Sequence, residues 1–310
     1  MRSDAIAELK LKVLKVQQSA VRGYADVDGA VIDYPILTDT DGDSCLFNGL
    51  LATTDYAPSA TAVYCSQAKD GEYRKGMFYR SPARRLSDNN GAQGNFFSRD
   101  MANGVLAAMA TNSTYYFDKS AHDWLDYMDK NRPCKVRKPW GGGCLVRSPI
   151  WKFAPDDNTS DVSPAMWGLM KRVWDARGWP LHSEMKRWAG SDGDITKIEA
   201  QQNPLGYRVH LCVVASYIKL LINQSTAMAK EVGQIAWERQ PDNLFYEFVA
   251  RNEVTDDMVE RLIAIFPAMD VQWGHAWVWE KDNITEALKD TCGWDFVFLG
   301  RLFLMARGSL

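Results

Sequence analysis

Several motifs that mark common classes of enzyme are missing from this chain of 310 residues. Its four histidines are widely separated and form no metal-binding spacing such as HExxH. The chain also contains no GxSxG nucleophile motif, no phosphate-binding loop and no dinucleotide-binding fingerprint. The sequence therefore gives no support to a serine-triad hydrolase, a nucleotide-dependent enzyme of the common types or a histidine-ligated metalloenzyme.

The six cysteines lack a metal-ligand pattern, because no two of them form a CxxC pair. Cys45, Cys212 and Cys292 lie in apolar, helix-like segments, where a free cysteine behaves as a small hydrophobic residue. Cys134 and Cys144 flank a loop rich in proline and glycine, and this spacing allows a disulfide without requiring one. We expect reduced thiols as the default.

Long apolar runs and an excess of basic residues are also missing. No run approaches the roughly 20 apolar residues that span a membrane, and the N-terminus lacks the apolar core of a signal peptide. A net charge of -3 does not fit a general nucleic-acid-binding protein. We therefore expect a cytoplasmic protein whose partners include neither nucleic acid nor a membrane, unless it leaves the cell without a cleaved signal.

Helical periodicity dominates what the chain does contain. About a dozen segments place apolar residues at helical spacing, while strand-like alternation is confined to 31–37 and 62–66. The segments 24–42, 55–97 and 132–163 read as long loops, which often carry function. Capping residues precede several helices, namely Asp43, Ser98, Ser120, Ser163 and Thr255.

These patterns predict one all-α domain over residues 1–310. Two architectures fit, an irregular bundle and an (α/α) toroid or barrel of paired helices. The long loops favour the toroid, since they exceed what simple connections in a compact bundle require.

Acidic residues gather at the starts of two apolar helices. Asp39, Asp41 and Asp43 alternate along a polar segment that leads into the first helix, and Asp100 follows Arg99 in the first turn of the second. Carboxylates in such positions can cap the helix, bind a cation or act as a general acid and base. The spacing alone leaves these three roles open.

The alternating acids also match the opening of an EF-hand calcium loop. That loop requires glycine at its sixth position and a bidentate glutamate at its twelfth, where this chain has Ser44 and Leu50. An EF-hand is therefore excluded, which leaves at most a loose Ca²⁺ site at Asp39, Asp41 and Asp43. We expect no other cofactor. The acidic segment 192–194 reads as a turn.

Three arginines are candidate clamps for an acidic substrate, namely Arg80, Arg84 and Arg99. The alternative is that they lie on solvated loops. Among the 12 tryptophans, Trp140 and Trp277 lie in loop-like sequence, where a flat ring can stack on a sugar; structural packing is the alternative for each of them. His275 lies beside Trp277 and is a further candidate for substrate contact. Trp167 and Trp174 are seven residues apart on one helix and are predicted to be core.

Three motifs resemble, in order, successive elements of (α/α)-toroid, or six-hairpin, carbohydrate-active proteins. They are DGDSCLFNGLL (41–51), RSPARR (80–85) and SRDMANGVL (98–106). PDNLFYEF (241–248), WVWEK (277–281) and GWDFVF (293–298) are similar to C-terminal segments of phage-encoded proteins of that shape. The resemblance spans most of the chain as an order of elements. It implies acidic residues in a central cleft, a polysaccharide partner, and an association with other virion proteins.

We therefore predict a glycoside hydrolase that acts on a bacterial surface polysaccharide, in the cytoplasm or in a virion. Asp43 is the predicted acid, since like-charged neighbours raise its pKa, and Asp100 is the predicted base, since Arg99 favours its ionised form. The alternatives are a uronate lyase, a non-enzymatic virion structural or receptor-binding module, and an accessory protein inside the infected cell. A lyase needs a different base, for which the candidates are Tyr79, Tyr115 and His275.

Overall fold

The computed structural model of the protein describes residues 2–36, 42–88, 97–111, 115–138, 144–153, 161–268 and 272–310. Most of these residues are helical, which confirms the all-α class. The helices of the described residues are α1 (Arg2–Ser19), α2 (Ser44–Ala52), α3 (Ala57–Cys65), α4 (Pro82–Leu86), α5 (Arg99–Thr111), α6 (Tyr115–Lys130), α7 (Pro164–Arg177), α8 (Ser183–Arg187), α9 (Ser191–Gln202), α10 (Tyr207–Leu221), α11 (Thr226–Arg239), α12 (Leu244–Arg251), α13 (Asp256–Ile265), α14 (Ile284–Ala287) and α15 (Trp294–Ala306). Short 3-10 turns cover Val278–Glu280 and Leu288–Asp290. None of these helices is long and apolar enough to cross a membrane.

Capping explains where several helices begin. The Ser163 hydroxyl accepts a hydrogen bond from the Met166 backbone N–H and starts α7, which ends at Gly178 in the left-handed conformation. The Thr255 hydroxyl caps α13 in the same way. Both predicted caps are confirmed. Ser120 is different, because α6 begins before it and its hydroxyl donates to the Gln67 side chain instead, so that predicted cap is wrong.

One predicted loop, one predicted strand and one predicted turn need correction. The segment 55–97 contains helices α3 and α4, and the alternating residues 62–66 lie in α3 and at its C-terminal end. A five-residue alternation cannot be distinguished from part of a buried helix, and α3 packs its apolar side against α2. The acidic segment 192–194, which was predicted to be a non-helical turn, lies in the first helical turn of α9.

The strands form two antiparallel hairpins. β1 (Arg22–Val27) pairs with β2 (Ala30–Pro35) through an Asp28-Gly29 turn in which both residues have positive φ. The strand predicted at 31–37 is thus confirmed over its described part. β3 (Cys134–Arg137) pairs with β4 (Cys144–Arg147).

A disulfide between Cys134 and Cys144 joins β3 to β4. The expectation of reduced thiols is therefore wrong for this pair. Sequence spacing had allowed the bond, and the hairpin brings the two Cα atoms to 5.6 Å, within the range that a disulfide requires. The other four cysteines are free and buried.

Helices that are distant in sequence pack together. The first helix, α1, lies against the last, α15, and α5 contacts α2, α7 and α10. One apolar core connects most of these helices, and its largest buried side chains include six tryptophans. Trp167 and Trp174 belong to it, which confirms their predicted core position. Closure of the helices into a toroid stays a prediction.

The closest helix contact involves glycines. α2 and α5 cross at Gly49 and Gly104, where a Cβ atom added to either residue would overlap the backbone of the other helix. The two backbones can therefore touch, as in small-residue helix contacts. This contact matters for function because Asp43 precedes α2 and Asp100 lies in the first turn of α5.

We expect Gly104→Ala to lower the free energy of unfolding by about 1–3 kcal/mol, because the added methyl group overlaps the carbonyl group of Cys45. Helix propensity alone predicts the opposite sign, a gain of roughly 0.5–1 kcal/mol. Urea denaturation of both proteins distinguishes the two. A more stable Gly104→Ala variant would contradict the close helix contact.

Candidate functional site

Three carboxyl groups from three separate elements, together with Asp282, line one cleft of about 360 Å³. Asp43 immediately precedes α2, Asp100 lies in the first turn of α5, and Glu280 ends the 3-10 turn Val278–Glu280. We call this space the carboxyl cleft. The structure brings the two predicted acids together and adds Glu280, which sequence reasoning missed.

Helix starts surround the carboxyl cleft. α2 and α5 begin beside their acids, and α10 begins with Tyr207, which lines the same cleft together with the preceding residue Gly206. The backbone N–H groups at a helix start carry a partial positive charge. Their convergence here offers partial compensation for negative charge on the three carboxyl groups.

Asp43 occupies the position of an N-cap, but its side chain makes no capping hydrogen bond. Its Oδ1 atom instead lies 3.6 Å from Nη1 of Arg80, a largely buried side chain that also donates to the Gly42 carbonyl oxygen at 2.5 Å. Burial raises the pKa of Asp43, while the charges of Arg80 and Lys281 lower it by less. Arg80 thus contacts a cleft carboxylate, where a substrate clamp had been predicted.

Burial also raises the pKa of Asp100, and the charge of Asp43 raises it further. Arg99 and Arg80 lower the pKa by a smaller amount. Arg99 is half-exposed, and its Nη1 atom lies 3.9 Å from Oε1 of Glu199. Arg99 favours the ionised form of Asp100, as expected, but burial and a neighbouring acid outweigh it.

Glu280 is more enclosed than Asp43, with 13% of its side chain exposed against 41%. Burial raises its pKa, the nearby Lys281 ammonium at 2.7 Å lowers it, and the charges of Asp43 and Asp100 raise it. The three groups therefore lose their protons in coupled steps. The cleft holds protons at a pH where isolated carboxyl groups would be ionised.

Buried contacts fix the segment that carries Glu280. Trp277 is 1% exposed and stacks on Phe47 of α2, with ring centroids 4.2 Å apart. Oδ2 of buried Asp295 accepts a hydrogen bond from the Val278 N–H at 2.9 Å. Burial raises the pKa of Asp295 to about 6. Trp277 therefore belongs to the core and offers no face to a sugar, contrary to its predicted role.

His210 supports the same segment from α10. Its Nδ1 atom lies 3.1 Å from the carbonyl oxygen of Trp279, which also accepts a hydrogen bond from Nδ2 of Asn243. Complete burial lowers the pKa of His210 to about 3, so this imidazole is neutral. The partners come from distant parts of the sequence, which is why residue patterns could not identify them.

A second pocket of about 320 Å³ opens from the carboxyl cleft, and we call it the adjoining pocket. It shares Asp100, Tyr207 and Leu211 with the cleft and extends between α5, α7, α9 and α10. A buried ion pair lies in its wall, in which Lys219 Nζ is 3.0 Å from Asp192 Oδ2. Arg172, whose Nε atom is 2.8 Å from the same oxygen, completes the group and helps to keep the pKa of Asp192 low.

The remaining predicted site residues lie elsewhere. Arg84 lies in α4 and His275 is exposed, and neither is among the described residues that line the cleft or the adjoining pocket. Tyr79 is buried, and its hydroxyl donates to Asp88. Trp140, Asp39 and Asp41 fall outside the described residues, as does the side chain of Tyr115.

Within the described ranges, no three histidine, cysteine, aspartate or glutamate side chains are close enough together to hold a metal ion. The proposed loose calcium site includes two acids that those ranges omit. It therefore stays a prediction.

The chain matches no family model, no curated protein and no solved structure. The resemblance to carbohydrate-active toroids accordingly stays a prediction, and the functional argument depends on the geometry of the carboxyl cleft.

The stability of the protein should respond oppositely to neutralisation of Asp100 and of Asp192. Asp100 has a raised pKa, so its contribution to stability is complete below the ordinary value of 3.8 and is lost as the pH rises through its folded value. Asp192 has a lowered pKa, so its contribution is present above 3.8 and is lost as the pH falls through its folded value. At neutral pH we expect Asp100→Asn to raise the free energy of unfolding.

Asp192→Asn is the matched comparison. It leaves Arg172 and Lys219 without their buried counter-charge, and we expect a loss of roughly 3–5 kcal/mol at neutral pH. Urea denaturation at mildly acidic and neutral pH measures both effects. Equal destabilisation by the two variants at neutral pH would contradict the assigned environments.

Proposed function

We propose that this protein hydrolyses a bacterial surface polysaccharide by acid/base catalysis in the carboxyl cleft. One observation carries the proposal, namely that Asp43, Asp100 and Glu280 share one cleft and all have raised pKa values. Glycoside hydrolysis needs one protonated carboxyl group and one ionised carboxylate on either side of the scissile bond. Unequal environments within a carboxyl cluster provide that pair at one pH.

The contacts favour Asp43 as the ionised partner. Arg80 and Lys281 both stabilise its negative charge, whereas the charge of Asp43 itself helps to keep Asp100 protonated. We therefore assign Asp100 as the acid that protonates the leaving oxygen and Asp43 as the carboxylate that activates water or attacks carbon. This reverses the assignment made from sequence. Glu280 adds a third negative charge when ionised and favours retention of protons by its neighbours.

Tyr207 supplies an aromatic surface for a sugar. It is 53% exposed and lines both the cleft and the adjoining pocket. Nε of Arg208 donates to its hydroxyl oxygen at 3.1 Å and restrains the ring. Exposed tyrosine rings offer an apolar face with a polar edge, as glycan binding requires. Tyr207 takes the role that sequence reasoning gave to Trp140 and Trp277.

The charge of the cleft favours hydrolysis over uronate elimination. Asp282 also lines it, so even with Asp100 protonated the acids Asp43, Glu280 and Asp282 outnumber the one lining cation, Lys281, and a polyanionic uronate would be repelled. The arginines predicted to hold uronate carboxylates do not provide a clamp, because Arg80 contacts Asp43 and Arg99 faces Glu199. We therefore propose a glycan that is uncharged where it meets the carboxyl groups.

We also propose that the helices close into an (α/α) toroid and that the protein acts in a virion or in the cytoplasm. Contact between α1 and α15 supports ring closure, since it joins the first helix of the chain to the last.

The direct test is incubation of the protein with neutral, amino-sugar and uronate polymers of bacterial surfaces. Chain length is followed by size-exclusion chromatography, together with new reducing ends and absorbance of unsaturated uronate. We expect shortening of an uncharged polymer with new reducing ends and no new absorbance. Shortening with absorbance would establish a lyase, and no shortening of any polymer would favour a binding or structural protein.

Asp43→Asn and Asp100→Asn should each reduce kcat by about 10²–10⁴-fold, because each removes a proton-transfer or charge-stabilising group. Glu280→Gln should shift the pH optimum to lower pH, because its charge no longer favours protonated neighbours. Glu286→Gln is the control, since this exposed acid pairs with Lys289 on the surface. Full activity in both aspartate variants would exclude the proposed mechanism.

A further inference from the structure

We infer that the adjoining pocket is a subsite for an N-acetylated amino sugar and that Asn103 recognises its acetamido group. The inference rests on the proposed glycan-hydrolysing role of the carboxyl cleft and specifies the substrate class.

Asn103 is the first observation. It lies on α5 one turn after Asp100, lines the adjoining pocket and is 5% exposed. Its Oδ1 atom is buried, yet it has no hydrogen-bond partner among the described residues. A buried polar atom without a partner is unfavourable, so native proteins retain few of them. The oxygen does not reach the surface of the pocket, so a ligand N–H or O–H group would satisfy it after a small rotation of the Asn103 side chain.

Asp192 provides a second unpartnered acceptor in the same wall. Its Oδ2 atom contacts Arg172 and Lys219, whereas its buried Oδ1 atom has no partner in the described part of the chain. The unpartnered buried side-chain atoms of this pocket are thus both acceptors. The pocket therefore suits a ligand that donates hydrogen bonds.

Five apolar side chains also line the pocket, namely Ala165, Met166, Leu169, Leu211 and Ala215. An acetamido group carries an N–H donor and a methyl group on one short substituent, so it can satisfy an oxygen such as Asn103 Oδ1 while burying its methyl group. A ring hydroxyl supplies the donor without the methyl group.

The charges of the pocket exclude the charged alternatives. Arg99 faces Glu199 and Lys219 contacts Asp192, so neither a free ammonium nor a carboxylate group meets an unpaired counter-charge at these two positions. A neutral substituent fits this balance.

The position of the pocket connects recognition to catalysis. Because Asp100 and Tyr207 line both spaces, a sugar in the adjoining pocket places its neighbouring glycosidic bond at the carboxyl cleft. Asn103 is therefore a specificity-determining residue for the proposed reaction. The pocket volume of about 320 Å³ is at the lower end of the roughly 300–1,000 Å³ typical of small-molecule sites.

Saturation-transfer NMR with monosaccharides tests the subsite without any glycosidic bond to cleave. The probes are N-acetylglucosamine, N-acetylgalactosamine, glucosamine, glucose and glucuronate. We expect saturation of an N-acetylated sugar that is strongest at its acetyl methyl protons, and little or none for the other three. Equal saturation of glucose, or no saturation of either N-acetylated sugar, would overturn the inference.

Asn103→Ala identifies the residue. We expect about tenfold weaker binding of the N-acetylated sugar, because one hydrogen bond is lost, in a protein that stays folded, because Oδ1 bonds to none of the described residues. Asn131→Ala is the matched control, since its side chain donates to the Tyr127 carbonyl oxygen at the end of α6, away from the pocket. Unchanged binding in a folded Asn103→Ala protein would overturn the role of Asn103.

Different results would contradict the hydrolase function and the acetamido subsite. Polymer hydrolysis without monosaccharide binding would remove the acetamido subsite and leave the hydrolase. Binding of an N-acetylated sugar through its acetyl methyl group, without hydrolysis of any polymer, would support the subsite as a lectin-like site and would contradict the catalytic function.

Discussion

The carboxyl cleft depends on the backbone contact between α2 and α5 at Gly49 and Gly104. With no side chains between them, the two helices approach closely enough for Asp43 and Asp100 to face one space. The third acid reaches the same space through a different contact, because the stacking of Trp277 on Phe47 fixes the segment before Glu280 to α2. Apolar residues behind the cleft thus determine the position of every acid within it.

The cluster of Asp43, Asp100 and Glu280 lowers the free energy of unfolding near neutral pH. Burial raises the pKa values of all three acids, and neighbouring carboxylates raise those of Asp100 and Glu280 further, so ionisation near neutral pH is unfavourable relative to the unfolded chain. A continuous core rich in buried tryptophan offsets this, as do the helix starts that surround the cleft. Unfavourable local chemistry retained inside a well-packed frame is typical of functional sites.

Residue patterns predicted what depends on neighbours in sequence. The all-α class, the bounds of α7 and the use of acids at two helix starts all follow from periodicity and capping. Glu280 was missed because its burial depends on Phe47 and Asp295, which are distant in sequence. Trp277 was predicted to bind sugar because it lies in loop-like sequence, and the sequence does not indicate which tryptophan rings are enclosed in the fold. The alternation at 62–66 was too short to distinguish a strand from helix α3.

The most direct test of shared protons in the cleft is an NMR titration of the side-chain carboxyl carbons in the wild-type protein and in Asp43→Asn. In the wild type, Asp100 and Glu280 should titrate above their ordinary values of 3.8 and 4.5. Replacement of Asp43 should lower the pKa of both, because its charge raises each of them. Titration at ordinary values in the wild type, unchanged by Asp43→Asn, would contradict a coupled catalytic cluster.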